Sequence, residues 1–458
     1  MTPAKSPVAL ATTLAFSAFL MFSASLYAAD AAAVTGSAPA ARMVTFTKDV
    51  APILQARCEE CHHKGAMAPM SLVSYEETRP WAKAIKQRVV TRQMPPWHID
   101  KTVGVQKFKN DISLTDEQIA TIANWVAAGA PMGDVKDMPP AIQWPAENEW
   151  KAAKELGQPD LVIKSEPYTM AAHHQDVWWR PTTDIPVTEP RWVRAVEVRP
   201  GTAAGRKITH HAVAYLVQDD PSSLAPNSGD AAGGRAFLME WAVGKGYDLY
   251  RPDSGKLLLP GAQISWDVHI HAVGEEIRDN VELGIWLYPK GQEPAHRSYL
   301  TQFQALRRFQ ATGRNRTGRN IDLAPNTISQ SDNYTVLTRP AMIENFQPHM
   351  HLRGKAMTVE AVLPDGSTQL ISHVGNFNFN WMTNYIYADD AAPVLPKGTM
   401  IHVTAWYDNT RANPNNPDPD QWVGYGDRTV DEMGHAWMNV TYLSDDEYQA
   451  YVAKRQGN

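Results

Sequence analysis

Two different hydrophobic periods divide this chain. From residue 43 to residue 135, apolar residues recur at the spacing of helix faces. The pattern predicts helices over residues 46–56, 75–91 and 115–128, the last starting at the N-cap Thr115 and ending at Gly129. We therefore predict a small all-α domain here.

After residue 158 the pattern becomes that of β-strands. Short runs rich in β-branched and aromatic residues alternate with turns built on Pro and Gly. The predicted strands cover residues 192–198, 208–217, 264–273, 281–287, 334–337, 357–362, 400–407 and 437–443. Many strands without intervening helices indicate β-sandwiches, and the length is enough for two.

These patterns predict a multidomain protein. We expect the all-α domain at 43–135, a Pro-, Asp- and Lys-rich linker at 136–158, a first sandwich at 159–315 and a second at 316–455. The basic stretch 307–319 is the expected connection between the sandwiches.

The first residues have the pattern of an export signal. Lys5 precedes an apolar run over residues 8–24, and small residues follow at Ala28 and Ala29. This predicts a signal peptide at 1–28 and a flexible lead-in at 29–42. The alternative is an uncleaved membrane anchor, because the run approaches the length that spans a bilayer. Both interpretations export the rest of the chain, to the periplasm.

Composition narrows the classes of function. The 458 residues are 43% hydrophobic and 20% charged, which excludes a disordered or collagen-like chain. Lys and Arg total 43 against 49 Asp and Glu, a net charge of −6. Without a basic stripe, no nucleic-acid partner is expected.

The only two cysteines, Cys58 and Cys61, are followed directly by His62. This C-x-x-C-H spacing suits covalent haem, because two thiols add across two vinyl groups and the histidine becomes an axial iron ligand. A redox-active or zinc-binding cysteine pair is the alternative. We expect one covalent haem c. Residues 43–135, with the final helix LTDEQIATIANWVAAGAP, also resemble the class I c-type cytochromes.

The sixth iron ligand is predicted to be a methionine. Met67, Met70 and Met94 all follow the motif. Met94 precedes Pro95-Pro96, an arrangement typical of thioether presentation in such cytochromes, so we expect it to bind iron. Core packing is the alternative for any single methionine.

Histidines are paired at three places in the predicted β-region: His210-His211, His269-x-His271 and His349-x-His351. On a strand, residues two apart share a face, so H-x-H is a natural two-pronged metal clamp. Adjacent histidines point to opposite faces, so His210 and His211 can share a metal only if the strand is distorted or different ring nitrogens are used. Imidazole suits zinc, copper, iron or nickel, and spacing alone does not choose among them.

Residues 158–455 resemble the copper type II, ascorbate-dependent monooxygenases, the family of peptidylglycine α-hydroxylating monooxygenase and dopamine β-monooxygenase. Four stretches match in the family's order: Thr209-His210-His211-Ala212, Trp266-Asp267-Val268-His269, His349-Met350-His351-Leu352-Arg353-Gly354-Lys355 and Asp431-Glu432-Met433. The run YDNTRANPNNPD at residues 407–418 is similar to the bacterial branch.

The resemblance implies two tandem jelly-roll sandwiches and two separate mononuclear copper sites. The implied ligands of the electron-transfer copper are His210, His211 and His269. The implied ligands of the catalytic copper, which binds dioxygen, are His349, His351 and Met433. A thioether in this second set favours copper over zinc.

Two features depart from the family. Its animal members carry several disulfides, and this chain has no cysteines to spare for them. His271 has no counterpart in the implied ligand set, and His435, two residues after Met433, is also left outside it.

A haem signature and a copper-monooxygenase resemblance on one chain predict an enzyme that hydroxylates an unknown organic substrate with dioxygen. An external one-electron donor, such as an ascorbate-like reductant, a quinol system or another cytochrome, would reduce the haem. Electrons are expected to pass from the haem to the copper of the His210 set and then to the copper of the His349 set. Two alternatives stay open: an electron-transfer or copper-handling protein without its own substrate, and a zinc site of structural or hydrolytic function.

Overall fold

β-Strands make up most of the secondary structure, and the helices are few and short. The computed structural model describes residues 43–66, 68–144, 149–223, 235–242, 245–310 and 317–457. The predicted signal peptide and lead-in lie outside these residues, as do residues 311–316 of the predicted connection at 307–319. No helix in the described ranges is long and apolar enough to cross a membrane.

The helices lie mainly before residue 130. The α-helices are α1 (Ala51–Arg57), α2 (Tyr75–Thr78), α3 (Ala82–Val90), α4 (Asp116–Ala127), α5 (Ala153–Leu156), α6 (Gly205–Ile208) and α7 (Asp445–Gln456). A π-helical turn spans Phe46–Val50, and 3-10 turns span Arg79–Trp81, Val135–Asp137 and Pro221–Ser223.

The strands begin at residue 161. They are β1 (Leu161–Lys164), β2 (Tyr168–Met170), β3 (Val177–Trp179), β4 (Thr182–Asp184), β5 (Arg191–Pro200), β6 (Thr209–Val217), β7 (Arg235–Ala242), β8 (Asp248–Leu249), β9 (Ser254–Leu258), β10 (Gln263–Ile270), β11 (Ile277–Asp279), β12 (Val281–Leu287), β13 (His296–Gln304), β14 (Arg307–Gln310), β15 (Thr317–Asn320), β16 (Asp322–Leu323), β17 (Ile328–Val336), β18 (Ala341–Ile343), β19 (Asn345–His349), β20 (Gly354–Val362), β21 (Thr368–Val374), β22 (Tyr385–Ile386), β23 (Val394–Leu395), β24 (Met400–Asp408), β25 (Val423–Gly424) and β26 (His435–Tyr442).

Each predicted helix and strand coincides with an observed element, so the predictions of element type are confirmed. The strand predicted over 281–287 matches β12 at both ends. Helix α4 begins after the N-cap Thr115, whose hydroxyl accepts from the Gln118 amide while the Gln118 side chain reaches back to the Thr115 amide. This reciprocal capping box satisfies amides that the first helical turn leaves unpaired.

The early helices share a small core of their own. Phe46, Leu54, Ile122 and Trp125 are all completely buried in it. The amide of Phe46 donates to the carbonyl of Pro131, which ties the start of the helical segment to its end. The apolar stripes that predict these helices are therefore the faces that pack together.

Two further cores lie between β-sheets. The first joins β1, β12 and β5 to the sheet containing β3, β10, β6 and β7. The second joins β26, β18 and β19 to the sheet β17–β24–β20–β21. Sheet faces buried on each other in this way form the β-sandwich part of the molecule.

One sheet is common to both sandwich cores. Strand β13 runs parallel to β9 on one side and antiparallel to β26 on the other, so strands from both halves form a single eleven-stranded sheet. From Val44 to Asn458 the chain is one compact unit.

The segment after the third helix packs against the second sandwich. We call residues 97–112 the strap. Trp97 and Ile99 are buried in the second sandwich core, and the amide of Val105 donates to the carbonyl of Ile371 at 2.9 Å. Gly104 has φ +69°, and a Cβ there would collide with the Ile371 carbonyl, so only glycine suits this close approach.

Part of the predicted linker is also packed. Trp150 and Ala152 are buried beside Trp286 of β12. The Glu197 carboxylate of β5 accepts from the amides of Lys151 and Ala152, each at 3.0 Å.

Candidate metal centre

Strands β6 and β10 bring the first three histidines together. His211 pairs with His269, but Ile270 pairs with Thr209, so His210 is the extra residue of a β-bulge. The bulge turns the two adjacent rings toward each other, and their Nδ1 atoms lie 3.1 Å apart. One ligand atom from each of His210, His211 and His269 lies within 4.8 Å of the others. A distorted strand is one of the two arrangements under which His210 and His211 can share a metal.

His269 is oriented by its neighbours. Its Nε2 lies 3.0 Å from the Asp176 carboxylate, and its ring stacks on Trp178 with centroids 4.5 Å apart. Its Nδ1 is buried without a hydrogen-bond partner. A carboxylate behind Nε2 sets the tautomer that leaves Nδ1 with a lone pair for a metal.

His349 and His351 lie at the end of β19 and just after it, and both are 2% exposed. The His351 Nδ1 lies 3.1 Å from the Asp431 carbonyl oxygen, and its amide donates to Glu432 at 2.9 Å. Glu432 also accepts from the amide of Arg353 at 2.6 Å. The Asp-Glu-Met and His-Met-His-Leu-Arg motifs are therefore in direct contact.

The two histidine sets adjoin each other. The rings of His211 and His349 have centroids 6.0 Å apart. Phe379 stacks on His210 at 4.8 Å and meets the edge of His351 at 6.3 Å. The first sandwich supplies one set and the second sandwich the other, and both face the same buried region.

A methionine that the sequence interpretation did not include touches the second set. The sulfur of Met382 lies 3.0 Å from the Nδ1 of His349. The backbone of Met433 is held on both sides: its amide donates to Glu432 at 3.2 Å, and its carbonyl accepts from the Tyr407 hydroxyl at 3.1 Å.

His271 and His435 lie at the edge of the cluster. The His271 ring is 6.4 Å from that of His210. His435 pairs with His349 across β26 and β19, with ring centroids 6.0 Å apart, and its Nδ1 lies 2.6 Å from the side-chain Nε2 of Gln302.

Burial keeps these imidazoles neutral. Desolvation, reinforced by neighbouring histidines, lowers the pKa of His210 to about 3. Desolvation also lowers the pKa of His351 to about 4, and it holds the pKa values of His211 and His349 well below the usual range. Neutral rings keep lone pairs that a cation can use without first displacing a proton.

The C-x-x-C-H motif follows helix α1. Cys58 and Cys61 are unbridged and half-buried, and burial raises the pKa of both thiols. The Nδ1 of His62 lies 3.3 Å from the Met70 carbonyl oxygen. Donation from Nδ1 to that carbonyl leaves Nε2 as the free ligand atom, which is what an axial histidine needs.

The three candidate axial methionines have different surroundings. Met94 is half-buried and lies between α3 and the strap, with its amide donating to the Arg88 carbonyl. Met70 packs against the helical core. Met67 lies outside the described residues. The assignment of Met94 stays a prediction.

The donor sets fit the groups that the sequence analysis expects. Three imidazole nitrogens within 4.8 Å of one another fit a single transition-metal ion. An imidazole nitrogen with a thioether sulfur fits a soft ion such as Cu(I). Asp176, Trp178, Phe379 and Met382 were missed because none belongs to a motif with a characteristic spacing.

Comparison with known proteins does not assign this chain to a family. No protein-family profile and no curated protein sequence matches it. The VP2 subviral particle of infectious bursal disease virus is 9% identical, over 63% of this chain and 73% of that one, with a TM-score of 0.18. A xanthan lyase from Paenibacillus is 9% identical, over 62% and 25%, with a TM-score of 0.16. Scores this low support no inference about fold or function.

Proposed function

We propose that this chain is an exported copper-dependent monooxygenase that hydroxylates an organic substrate with dioxygen. It would combine a c-type cytochrome domain at 43–135 with two tandem jelly-roll sandwiches at 159–315 and 316–455. The observation that carries the proposal is convergence: five histidines from three separate motifs, contributed by both sandwiches, meet in one buried region.

His210, His211 and His269 would hold one copper, and His349, His351 and Met433 would hold a second. Copper bound there would supply one-electron chemistry and activation of dioxygen. The residues of the chain supply the conditions: Asp176 orients His269, the Asp431 carbonyl and Glu432 orient His351, and burial keeps the rings unprotonated.

Cys58 and Cys61 would attach one haem c, with His62 and Met94 as axial ligands. Haem so placed would pass single electrons from an external donor, such as an ascorbate-like reductant, a quinol system or another cytochrome. The support for this is the C-x-x-C-H motif together with the His62 Nδ1 directed at the Met70 carbonyl.

The test is the haem and metal content of protein produced with haem maturation, followed by oxygen uptake under reductant. We expect one covalent haem, two coppers, and oxygen uptake that disappears when copper is chelated. His269→Ala should lower the copper content. His402→Ala is the matched control, because His402 lies in the β17–β24–β20–β21 sheet and contacts Asp332 and Glu360 instead of the cluster.

Three results would contradict the proposal. Copper without any oxygen uptake would favour an electron-transfer or copper-handling protein. Zinc in place of copper would favour a structural or hydrolytic site. Haem lost on denaturation would remove the cytochrome assignment.

A further inference from the structure

A buried acid joins the two sandwiches. Gln347 of β19 donates through its Nε2 to the Glu240 carboxylate of β7 at 2.7 Å, and both side chains are fully buried. The bond therefore crosses from the second sandwich to the first. Burying an ionisable group this completely is costly, and neither side chain belongs to the metal-binding residues of the proposed function.

Strand register places this bond beside both histidine sets. Ala242 of β7 pairs with His211 of β6, and Glu240 lies two residues earlier on the same face of β7. On β19, Gln347 likewise precedes His349 by two residues on one face. Each step along a strand is roughly 7 Å for two residues. The Glu240–Gln347 bond therefore lies one such step from the contact between His211 and His349.

Other buried charges surround the acid. The Nζ of Lys245 lies 3.6 Å from the Glu240 carboxylate and 3.2 Å from the Asp248 carboxylate, and all three side chains are at most 2% exposed. Lys256 and Glu344, both buried, interact with Asp248 and with each other, respectively. A proton passed from Lys245 to Glu240 leaves the net charge of this cluster unchanged, so such a transfer avoids creating an isolated charge in a dry region.

The surroundings of Glu240 suit a proton that is held and released. Glu240 Oε1 and Gln347 Oε1 are buried without a hydrogen-bond partner among the described residues. A proton on Glu240 would convert one of these acceptors into a donor. Desolvation raises the pKa of Glu240 to about 7, although Lys245 and the hydrogen bond from Gln347 act in the opposite direction.

We propose that Glu240 is an internal source of protons for the hydroxylation, an inference that rests on the proposed function. Insertion of one oxygen atom of dioxygen into a C–H bond consumes two electrons and two protons, and the second oxygen atom leaves as water. The external donor supplies the electrons. The O–H bond of Glu240 breaks, and its proton passes along the sandwich interface to the oxygen atom that leaves. Lys245 then reprotonates the carboxylate, and solvent returns a proton to Lys245.

The experiment uses the full-length protein with covalent haem and compares three substitutions. Glu240→Gln removes the carboxyl and conserves the shape of the side chain. Gln347→Met keeps the carboxyl and removes its hydrogen bond to the second sandwich. Glu344→Gln is the matched control, because Glu344 is also a buried acid but accepts from the Thr441 hydroxyl of β26.

Infrared spectra of the copper-free protein, recorded as a function of pH, detect protonated carboxyl groups without any turnover. We expect a carboxyl band that titrates at a pH of about 7 in the wild type and in Glu344→Gln, and that is absent from Glu240→Gln. Gln347→Met should move this titration to higher pH, because the donor that it removes stabilises the ionised carboxylate.

Oxygen uptake by the copper-loaded protein at saturating reductant is the second readout. We expect Glu240→Gln to lower the rate at least about tenfold at unchanged copper and haem content, since a positioned acid typically contributes that much or more. The wild-type rate should fall as the pH rises above about 7, where Glu240 loses its proton, and Glu240→Gln should lack this fall. Glu344→Gln should keep the wild-type rate and pH profile.

A wild-type rate in Glu240→Gln, or equal slowing in Glu344→Gln, overturns the assignment and leaves the proposed function in place. Loss of copper from Glu240→Gln also overturns it, because the cluster is then only a structural bridge between the sandwiches. Infrared spectra in which no titrating band depends on Glu240 have the same consequence. A wild-type protein that takes up no oxygen overturns the proposed function and this role together.

Discussion

At the residue scale, Asp176 connects the two histidine sets. One carboxylate oxygen lies 3.0 Å from the Nε2 of His269 and 3.5 Å from the Thr429 hydroxyl. Thr429 lies two residues before Asp431, whose carbonyl oxygen lies beside the His351 ring. A half-exposed acid thus orients one ligand directly and contacts the loop that orients another.

Loss of this carboxylate should weaken the first copper. Removing a partner behind a metal-binding histidine typically costs 10–100-fold in metal affinity. We expect Asp176→Ala to weaken one copper by about that factor, and Asp176→Asn to weaken it less because the amide oxygen still accepts from Nε2. Chelator competition measures the affinity.

The control for this prediction is Asp184→Ala in the same sheet. Asp184 lies in β4, is exposed, and accepts from the side-chain amide of Gln263 at 2.7 Å. Equal affinities for Asp176→Ala and Asp184→Ala, in folded proteins, would show that Asp176 has no part in metal binding.

At the element scale, the strap joins the helical segment to the second sandwich. The Trp97 ring packs against Tyr385 and Phe108, with centroids 4.8 and 5.5 Å away. Backbone bonds from Val105 and Lys109 to Ile371 and Ile386, each 2.8–2.9 Å long, continue the attachment. Apolar burial and paired backbone groups together make the strap part of the second core.

Truncating the anchor of the strap should destabilise the protein. Trp97 is 7% exposed, and deleting a buried tryptophan side chain costs about 3–5 kcal/mol. We expect Trp97→Ala to lower the free energy of unfolding by about that amount and to increase proteolysis of residues 97–112. Denaturant unfolding and limited proteolysis check the two effects.

Trp81→Ala is the matched control, because Trp81 is 43% exposed on a 3-10 turn of the helical segment. It should change the free energy of unfolding by no more than about 0.5 kcal/mol. Similar losses in both variants would mean that the strap contributes little to the second core.

At the scale of the whole molecule, the helical segment contacts both sandwiches. Lys151, which adjoins the first sandwich, lies 3.6 Å from the Glu60 carboxylate within the C-x-x-C-H motif. On the other side, Thr383 donates to Pro96, two residues after Met94, and the adjacent Met382 touches His349. The expected electron order passes through the His210 set first, but the second contact leads directly to His349.

The route of electrons can be tested by single-turnover kinetics. With Cu(II) present, we expect prereduced haem to reoxidise in a first-order step that is independent of protein concentration, because donor and acceptor share one compact unit. Thr383→Val should slow this step, since it removes the hydrogen bond to Pro96, and Thr383→Ser should not. Stopped-flow absorbance of the haem gives the rates.

Slowing in His210→Ala but not in Thr383→Val would support the order through the His210 set. Reduced haem that persists beside Cu(II), while ascorbate reduces the copper normally, would rule out an internal relay.

Features that depend on residues close together in the chain could be predicted from the sequence. Hydrophobic period predicted helices and strands, because side-chain direction repeats every 3.6 or 2 residues. The C-x-x-C-H and paired-histidine motifs were also recognisable, because their chemistry depends on short spacing.

How distant segments meet could be seen only in the folded chain. The bulge at His210, the approach of His211 to His349, and the contacts of Asp176 and Met382 all depend on register between strands far apart in sequence. The strap has no periodic pattern of its own. Its residues are buried against the second core, whose other members begin at Phe303, far along the chain. Local spacing carries no information about such pairings, so the neighbours of each histidine became visible only when the sheets were assembled.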